Sequence, residues 1–327
     1  MHLDQFNPDA YVQSATGNPA EGNQFFQPYL IHFENPWDVI STGRSLLHKC
    51  HNADPVAYDR IYKGWIYFYL GLASFLLQDY EIAFFFIDNA VASDLYKFNP
   101  VTNPSHAMRF FQIDSNLQEL TDGNLSEVLG FYKVVEAKIE STIQVYNSRS
   151  KSEDINLPDL RKNFLQPAMS VTRPNWRTLS TTFFSFCLDW NDRDELFTLC
   201  PEPSTSEPYF LHLFKGCLLF ESLLKENPTK KPPPEKDTLN KVLKHLHKEL
   251  GIPEKLDTYH KTLKDVLDEL DKSDNSIEQS ILVACMTRNT LGHNLWWEDV
   301  SLNKSQYQQL FEMVASSCLH VIACLYK

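Results

Sequence analysis

The sequence predicts an all-α protein built as two helical domains, and three observations carry that prediction. Glycine is scarce, 10 of 327 residues, whereas a sheet-rich fold with many tight turns draws on more than the usual ~7%. Alternating apolar–polar runs are rare and short, the longest being the six residues Val135–Glu140, so the period-two signature of half-buried strands is nearly missing. Apolar residues instead recur at three- and four-residue spacing between prolines, asparagines and serines, as amphipathic helices with caps require.

The elements follow in order. Residues 1–34 are punctuated by Asn7-Pro8, Gly17-Asn18-Pro19 and Gly22 and read as irregular. Asn35-Pro36 reads as an N-cap with proline at the first helical position, opening a helix to about Cys50. Helices from about Pro55 to Leu77 and from Tyr80 to Tyr96 come next. Within them Tyr67, Leu70, Gly71, Ala83, Ile87 and Ala90 fall at the spacing of a tetratricopeptide repeat. The small residues let two antiparallel helices approach closely, which a plain helical hairpin also requires. A single unit is visible, where arrays need about three. Residues 97–125 read as loop or short helix, and Ser126–Tyr146 as a fourth helix with Tyr132, Val135, Ile139 and Ile143 on its stripe. The polar stretch to Pro174, broken by Pro158 and Pro167, marks a linker over 151–174 between domains 1–150 and 175–327.

In the second domain, Trp176–Trp190 and Glu207–Glu226 read as core helices, followed by an extended exposed loop, Asn227-Pro-Thr-Lys-Lys-Pro-Pro-Pro. Asp237–Leu250 is a helix closed by Gly251 and Pro253. Leu256–Leu270 is amphipathic, Ser276 with Gln279 opens a further helix as a capping box, and Lys304–Tyr326 is the last.

Composition narrows the function classes. The chain is 43% hydrophobic with net charge −12, which is globular and disfavours a wide nucleic-acid-gripping face. Seven cysteines without CxxC spacing suit a reduced, cytoplasmic protein. The N-terminus carries no signal-peptide pattern, and the longest apolar run, Trp65–Leu77, has 13 residues, short of the ~20 that span a bilayer. No membrane association is expected. His245-x-His247 is a poor chelate on a helix, so neither a metal nor a cofactor is expected. GxxxxGK[ST], GxSxG and Cys–His patterns are missing.

The chemistry-bearing stretch is Arg288-Asn289-Thr290-Leu291-Gly292-His293. Asn289 and His293 share a helix face, while Arg288 and His293 stand about 140° apart around it. Gly292, costly inside a helix, implies either close approach of another backbone or the end of the helix. This Arg-Asn-x-x-Gly-His run at a helix end, followed by a loop and a terminal helix near Tyr307, resembles the Rx4–6H signature of the HEPN superfamily (the higher eukaryote and prokaryote nucleotide-binding domain). The likeness covers roughly 175–327, under half of the chain. It implies an up-and-down helical bundle and a metal-independent endoribonuclease that works as a homodimer through this domain, as in toxin and antiviral defence systems.

Arg288, Asn289 and His293 carry the motif. His293 is the expected general acid or base, since imidazole titrates near ~6.5. Arg288 is expected to hold the phosphate, and Asn289 to position it or His293. Glu221-x3-Lys225 matches a second family feature, with Glu221 expected to orient Arg288; the same spacing also makes an ordinary helix-surface ion pair. Lys230, Lys231 and Lys241 form either a solvated basic face or an RNA-phosphate contact. Trp297 either stacks an unpaired base or packs against neighbouring helices. RNA is therefore the expected partner, with a protein partner for the N-terminal domain. The rival reading is a non-catalytic helical adaptor or regulator that binds a protein or nucleotide.

Overall fold

The computed structural model describes residues 35–59, 61–114, 126–150, 153–201, 205–235, 238–256, 262–270, 276–293 and 302–327. The fold is all-α: among the described residues the one β-type pairing is an isolated bridge between Asn99 and Asn103. The irregular reading of 1–34 and of 115–125 lies outside these residues. Two compact units divide the chain, one of residues 1–135 with 169–174, the other of 136–168 with 175–327.

The first unit begins with α1 (Pro36–Ala53), where the Asn35 side chain accepts from the Trp37 amide at 3.2 Å and Pro36 occupies the first helical position. The expected helix over 55–77 is two pieces, α2 (Pro55–Tyr58) and α3 (Gly64–Leu76). Asp54 caps α2 through Val56 and Ala57, yet α2 buries none of its residues. The bend after it turns Ile61 and Tyr62 into the core. Two apolar side chains buried there outweigh a few continued backbone hydrogen bonds.

Capped by Asp79, α4 (Tyr80–Asp94) runs back along α3. A Cβ on Gly71 would stand 2.8 Å from Ile87 Cδ1 and 3.1 Å from the Ala83 carbonyl oxygen. The small residues thus set the hairpin spacing. A short helix, α5 (His106–Phe111), packs on α4.

The next helix, α6 (Ser126–Arg149), is divided between the units. Tyr132 belongs to the first, where its hydroxyl donates to the Ile113 carbonyl at 2.6 Å. Ile139, Ile143 and Tyr146 are buried in the second, and Arg149 pairs with Glu312 at 3.0 Å. The stretch 151–174 is no linker in its described part. It forms α7 (Leu157–Leu160), a π-helical turn (Arg161–Leu165) and α8 (Gln166–Ala168), with Ile155, Leu160, Phe164 and Leu165 buried. Its prolines begin or interrupt short helices while the apolar residues between them reach the core, so the division lies near residue 136.

The second unit is a bundle of α9 (Pro174–Leu199), α10 (Glu207–Glu226), α13 (Ile277–His293) and α14 (Lys304–Leu325), with α11 (Leu239–Leu246) and α12 (Leu263–Leu270) beside it. The observed α11 is shorter than the reading of 237–250, because residues 247–250 form turns. Of the 256–270 reading, residues 257–261 lie outside the described set. Long and apolar enough to cross a membrane by length and composition, α14 is instead buried along most of its length by its neighbours. Its start carries a full capping box between Asn303 and Gln306.

The tightest point is Gly216 on α10. An added Cβ would fall 2.4 Å from the Phe186 ring of α9 and 2.8 Å from Val314 Cγ1 of α14, so three helices meet where only hydrogen fits.

Two predictions follow from this packing. Gly216→Ala should cost about 1–3 kcal/mol through overpacking, read as a lower melting temperature; an unchanged one would refute the crowding. A chain beginning at residue 136 should melt cooperatively in circular dichroism. One beginning at residue 151 should not, because it lacks Ile139, Ile143, Tyr146 and Arg149.

Candidate functional site

The motif lies on α13. Its start is half a capping box: the Ser276 hydroxyl accepts from the Gln279 amide at 3.2 Å, while the Gln279 side chain donates to the Glu269 carbonyl at 2.8 Å instead of turning back. Val283, Ala284, Cys285 and Met286 are fully buried, which seats the helix against α10 and α14. The same packing carries Arg288 and Asn289 to half-buried positions near the helix end. The described part of α13 runs to His293. Among the described residues, a Cβ on Gly292 would meet nothing nearer than Phe214, at 3.6 Å.

Arg288 is tied across to α10. Its Nε donates to Glu221 Oε2 at 2.8 Å, and Lys225 Nζ donates to Glu221 Oε1 at 2.6 Å. The Glu221 side chain is 9% exposed and that of Arg288 27%, so a buried carboxylate anchors a guanidinium that still reaches solvent. Burial would push the Glu221 carboxyl up, but the hydrogen bonds and charges of Lys225 and Arg288 outweigh it and hold it below the usual carboxylate range. Arg288 Nη1 lies 3.8 Å from where a Cβ on Gly292 would stand, so the guanidinium extends along the helix toward its C-terminal turn. The 140° separation of the two α-carbons therefore does not measure where the charged head sits, because a long side chain spans a turn.

The side chain of His293 and all of Trp297 lie outside the described residues. The structure brings Arg288 and Glu221 together and places Asn289 on the same turn as Arg288. Lys230 and Lys241 of the basic segment bond to other residues. Lys230 is engaged: its Nζ donates to Glu249 at 2.8 Å and to the His245 carbonyl at 3.0 Å. The loop holding it is pinned, not extended, since the buried Asn227 bonds both the Leu224 carbonyl and the Lys230 backbone, and Thr229 donates to Leu325. Lys241 is exposed and donates to the Glu235 carbonyl at 3.3 Å; Lys231 is exposed. A phosphate role for Lys230 would require breaking its pair with Glu249.

The buried histidines and cysteines of this unit are structural. His212 is buried, with Nε2 on the Phe186 carbonyl at 2.8 Å and Nδ1 on the Tyr307 hydroxyl at 2.7 Å. Burial pushes it down to about 3, so the ring is neutral. His320 is bound to the Leu250 carbonyl and Tyr146 and is likewise shifted down by burial. All seven cysteines are free; Cys217 and Cys285, near Arg288, have thiols raised by burial and are not nucleophiles. Among the described residues no cluster of His, Cys, Asp or Glu is set to hold a metal.

One group escaped the sequence reading. Lys138 Nζ sits 3.8 Å from the Trp190 ring centroid, and burial lowers the ammonium to about 8. Lys138 follows Ala137 on a stripe of mixed polarity, and nothing in its spacing marks a buried cation.

These shifts share one sign. His212, His320 and Glu221 all titrate lower folded than unfolded, so as pH falls the unfolded chain takes up protons first. The stability that these three groups contribute is complete above about pH 6.5 and is lost below it, first through the histidines and then, below ~4.5, through Glu221. The melting temperature of the full chain should drop between pH 7 and 4; a flat profile would contradict the neutral buried histidines.

Compared with protein-family models, curated proteins and solved structures, the chain matches none.

Proposed function

We propose that the second unit is a metal-independent endoribonuclease of HEPN type acting on single-stranded RNA. The observation that carries the reading is the Glu221–Arg288 pair: an always-charged guanidinium held by a buried carboxylate one turn before Gly292-His293. RNA supplies its own nucleophile. In this reaction the 2′-hydroxyl oxygen bonds to phosphorus as its proton passes to a base, and the P–O5′ bond breaks as the leaving oxygen gains a proton. A 2′,3′-cyclic phosphate and a 5′-hydroxyl result. His293 takes the proton-transfer role, Arg288 stabilises the charge of the pentacoordinate phosphorane, and Asn289 positions the phosphate. Glu221 is a positioning residue that sets the guanidinium's direction.

The active species is a homodimer of second units in the cytoplasm, serving a defence or toxin system, and the helical hairpin of the first unit docks a protein partner. No cofactor takes part. A non-catalytic adaptor is the competing reading, because an Arg288 already paired to Glu221 also serves simple helix–helix packing.

Labelled single-stranded RNA incubated with the purified protein and EDTA separates the two. Cleavage to cyclic-phosphate ends is expected, and His293→Ala should cost about 10²–10⁴ in rate with the melting temperature little changed. Arg288→Lys should also fail, since an ammonium cannot reproduce the guanidinium's forked contacts. Variants that cleave like the parent chain would refute these roles. RNA left intact by the parent chain, with no growth arrest on expression in cells, would favour the adaptor.

A further inference from the structure

The first unit contains a cavity of about 300 Å³ between α3, α4, α5 and the loop that joins α4 to α5, at the small end of the range for ligand pockets. Its walls are aromatic, from Trp65, Phe68 and Phe98. Two polar groups on its lining lack the partners their burial calls for.

The first is Asp94, 2% exposed at the end of α4. Its carboxyl oxygens accept from the Tyr62 hydroxyl, at 2.6 Å, and from the Ser105 hydroxyl. Both partners are neutral, and among the described residues no cation pairs with the carboxylate. Burial pushes it up to about 6, against the pull of the two hydroxyls, and it remains mostly ionised at neutral pH. An acid at a helix C-terminus also opposes the helix dipole. Buried charge without compensation is costly, and proteins keep it where something supplies the opposite charge.

The second is His106. Its ring is wedged beside Trp65 and Phe68, with centroids 5.2 and 6.3 Å away. Its Nδ1 is buried without a hydrogen-bond partner. Burial and the nearby Arg109 charge push the ring down to about 4, so it is neutral and able to accept a hydrogen bond through a bare nitrogen.

We propose that this cavity binds a small molecule bearing a protonated amine on an aromatic or apolar body, the ammonium held by the Asp94 carboxylate with an N–H to His106 Nδ1 and the body against the aromatic walls. The alternatives fit less well. An anion would meet Asp94, and an apolar guest would leave both polar groups dry. A quaternary amine has no N–H for His106. Ammonium over aromatic faces gains further from the ring quadrupoles. Arg109, also on the lining, disfavours a dication.

The test uses the full chain with four probes: phenethylamine, phenylalanine, phenethyl alcohol and hydrocinnamate. Calorimetry and thermal shift should show binding by the two ammonium probes and none by the alcohol or by the acid lacking an amine. Asp94→Asn should weaken phenethylamine binding at least about tenfold, equivalent to ~1.4 kcal/mol. Should that variant fail to fold, His106→Phe should still weaken it several-fold. Failure of both ammonium probes to bind would mean a cavity filled by water alone and would overturn the proposal. Equal affinity for alcohol and amine, or amine affinity untouched in the folded variants, would do the same. The site lies wholly in the first unit, so none of these outcomes bears on ribonuclease activity.

Discussion

The close approach at Gly216 is the constraint on which the second unit depends. With hydrogen as its side chain, α10 lies against the Phe186 ring of α9 and Val314 of α14 at once. That contact sets the height of α10 relative to its neighbours, and Glu221 sits five residues further along the same rigid helix. Where Glu221 stands decides where the Arg288 guanidinium is held. A glycine without chemistry of its own thus positions a charge pair that has chemistry, because a packed interior transmits small displacements instead of absorbing them.

Burial gives the Glu221–Arg288 pair its character. An exposed pair of this kind would contribute little and would move freely. Here the carboxylate is enclosed while its cations, Arg288 and Lys225, remain partly solvated. Removing either cation would leave buried negative charge with less to offset it, so the carboxylate holds its partners in place. The contrast with Lys230 is instructive: its partner Glu249 is nearer the surface, and that contact pins a loop. The first unit shows a third arrangement, in which Asp94 is enclosed with hydroxyl partners alone.

Much of the fold was legible because helix caps and apolar spacing are local. Asn35-Pro36, the Ser276 cap on the Gln279 amide and the Glu207–Glu226 span all act within a few residues of themselves. The i,i+4 relation of Glu221 to Lys225 was readable for the same reason, and the pairing of Glu221 with Arg288 was reached from a family likeness, not from spacing. Prolines misled over 151–174. They signal interruption of a helix and say nothing of whether the residues between them, such as Ile155 and Phe164, find a core. The break after Tyr58 was hidden because apolar residues continue through it.

By itself the sequence determined the helical class and the termini of several helices, since these follow from backbone capping and from periodicity over three or four residues. The tertiary structure alone decided that the chain divides near residue 136, that Lys230 is already paired, and that Asp94 and His106 border a common cavity. Each of these depends on which distant side chains share a dry space. Burial, charge compensation and the reach of a guanidinium are properties of that shared space, and no spacing along the chain encodes them.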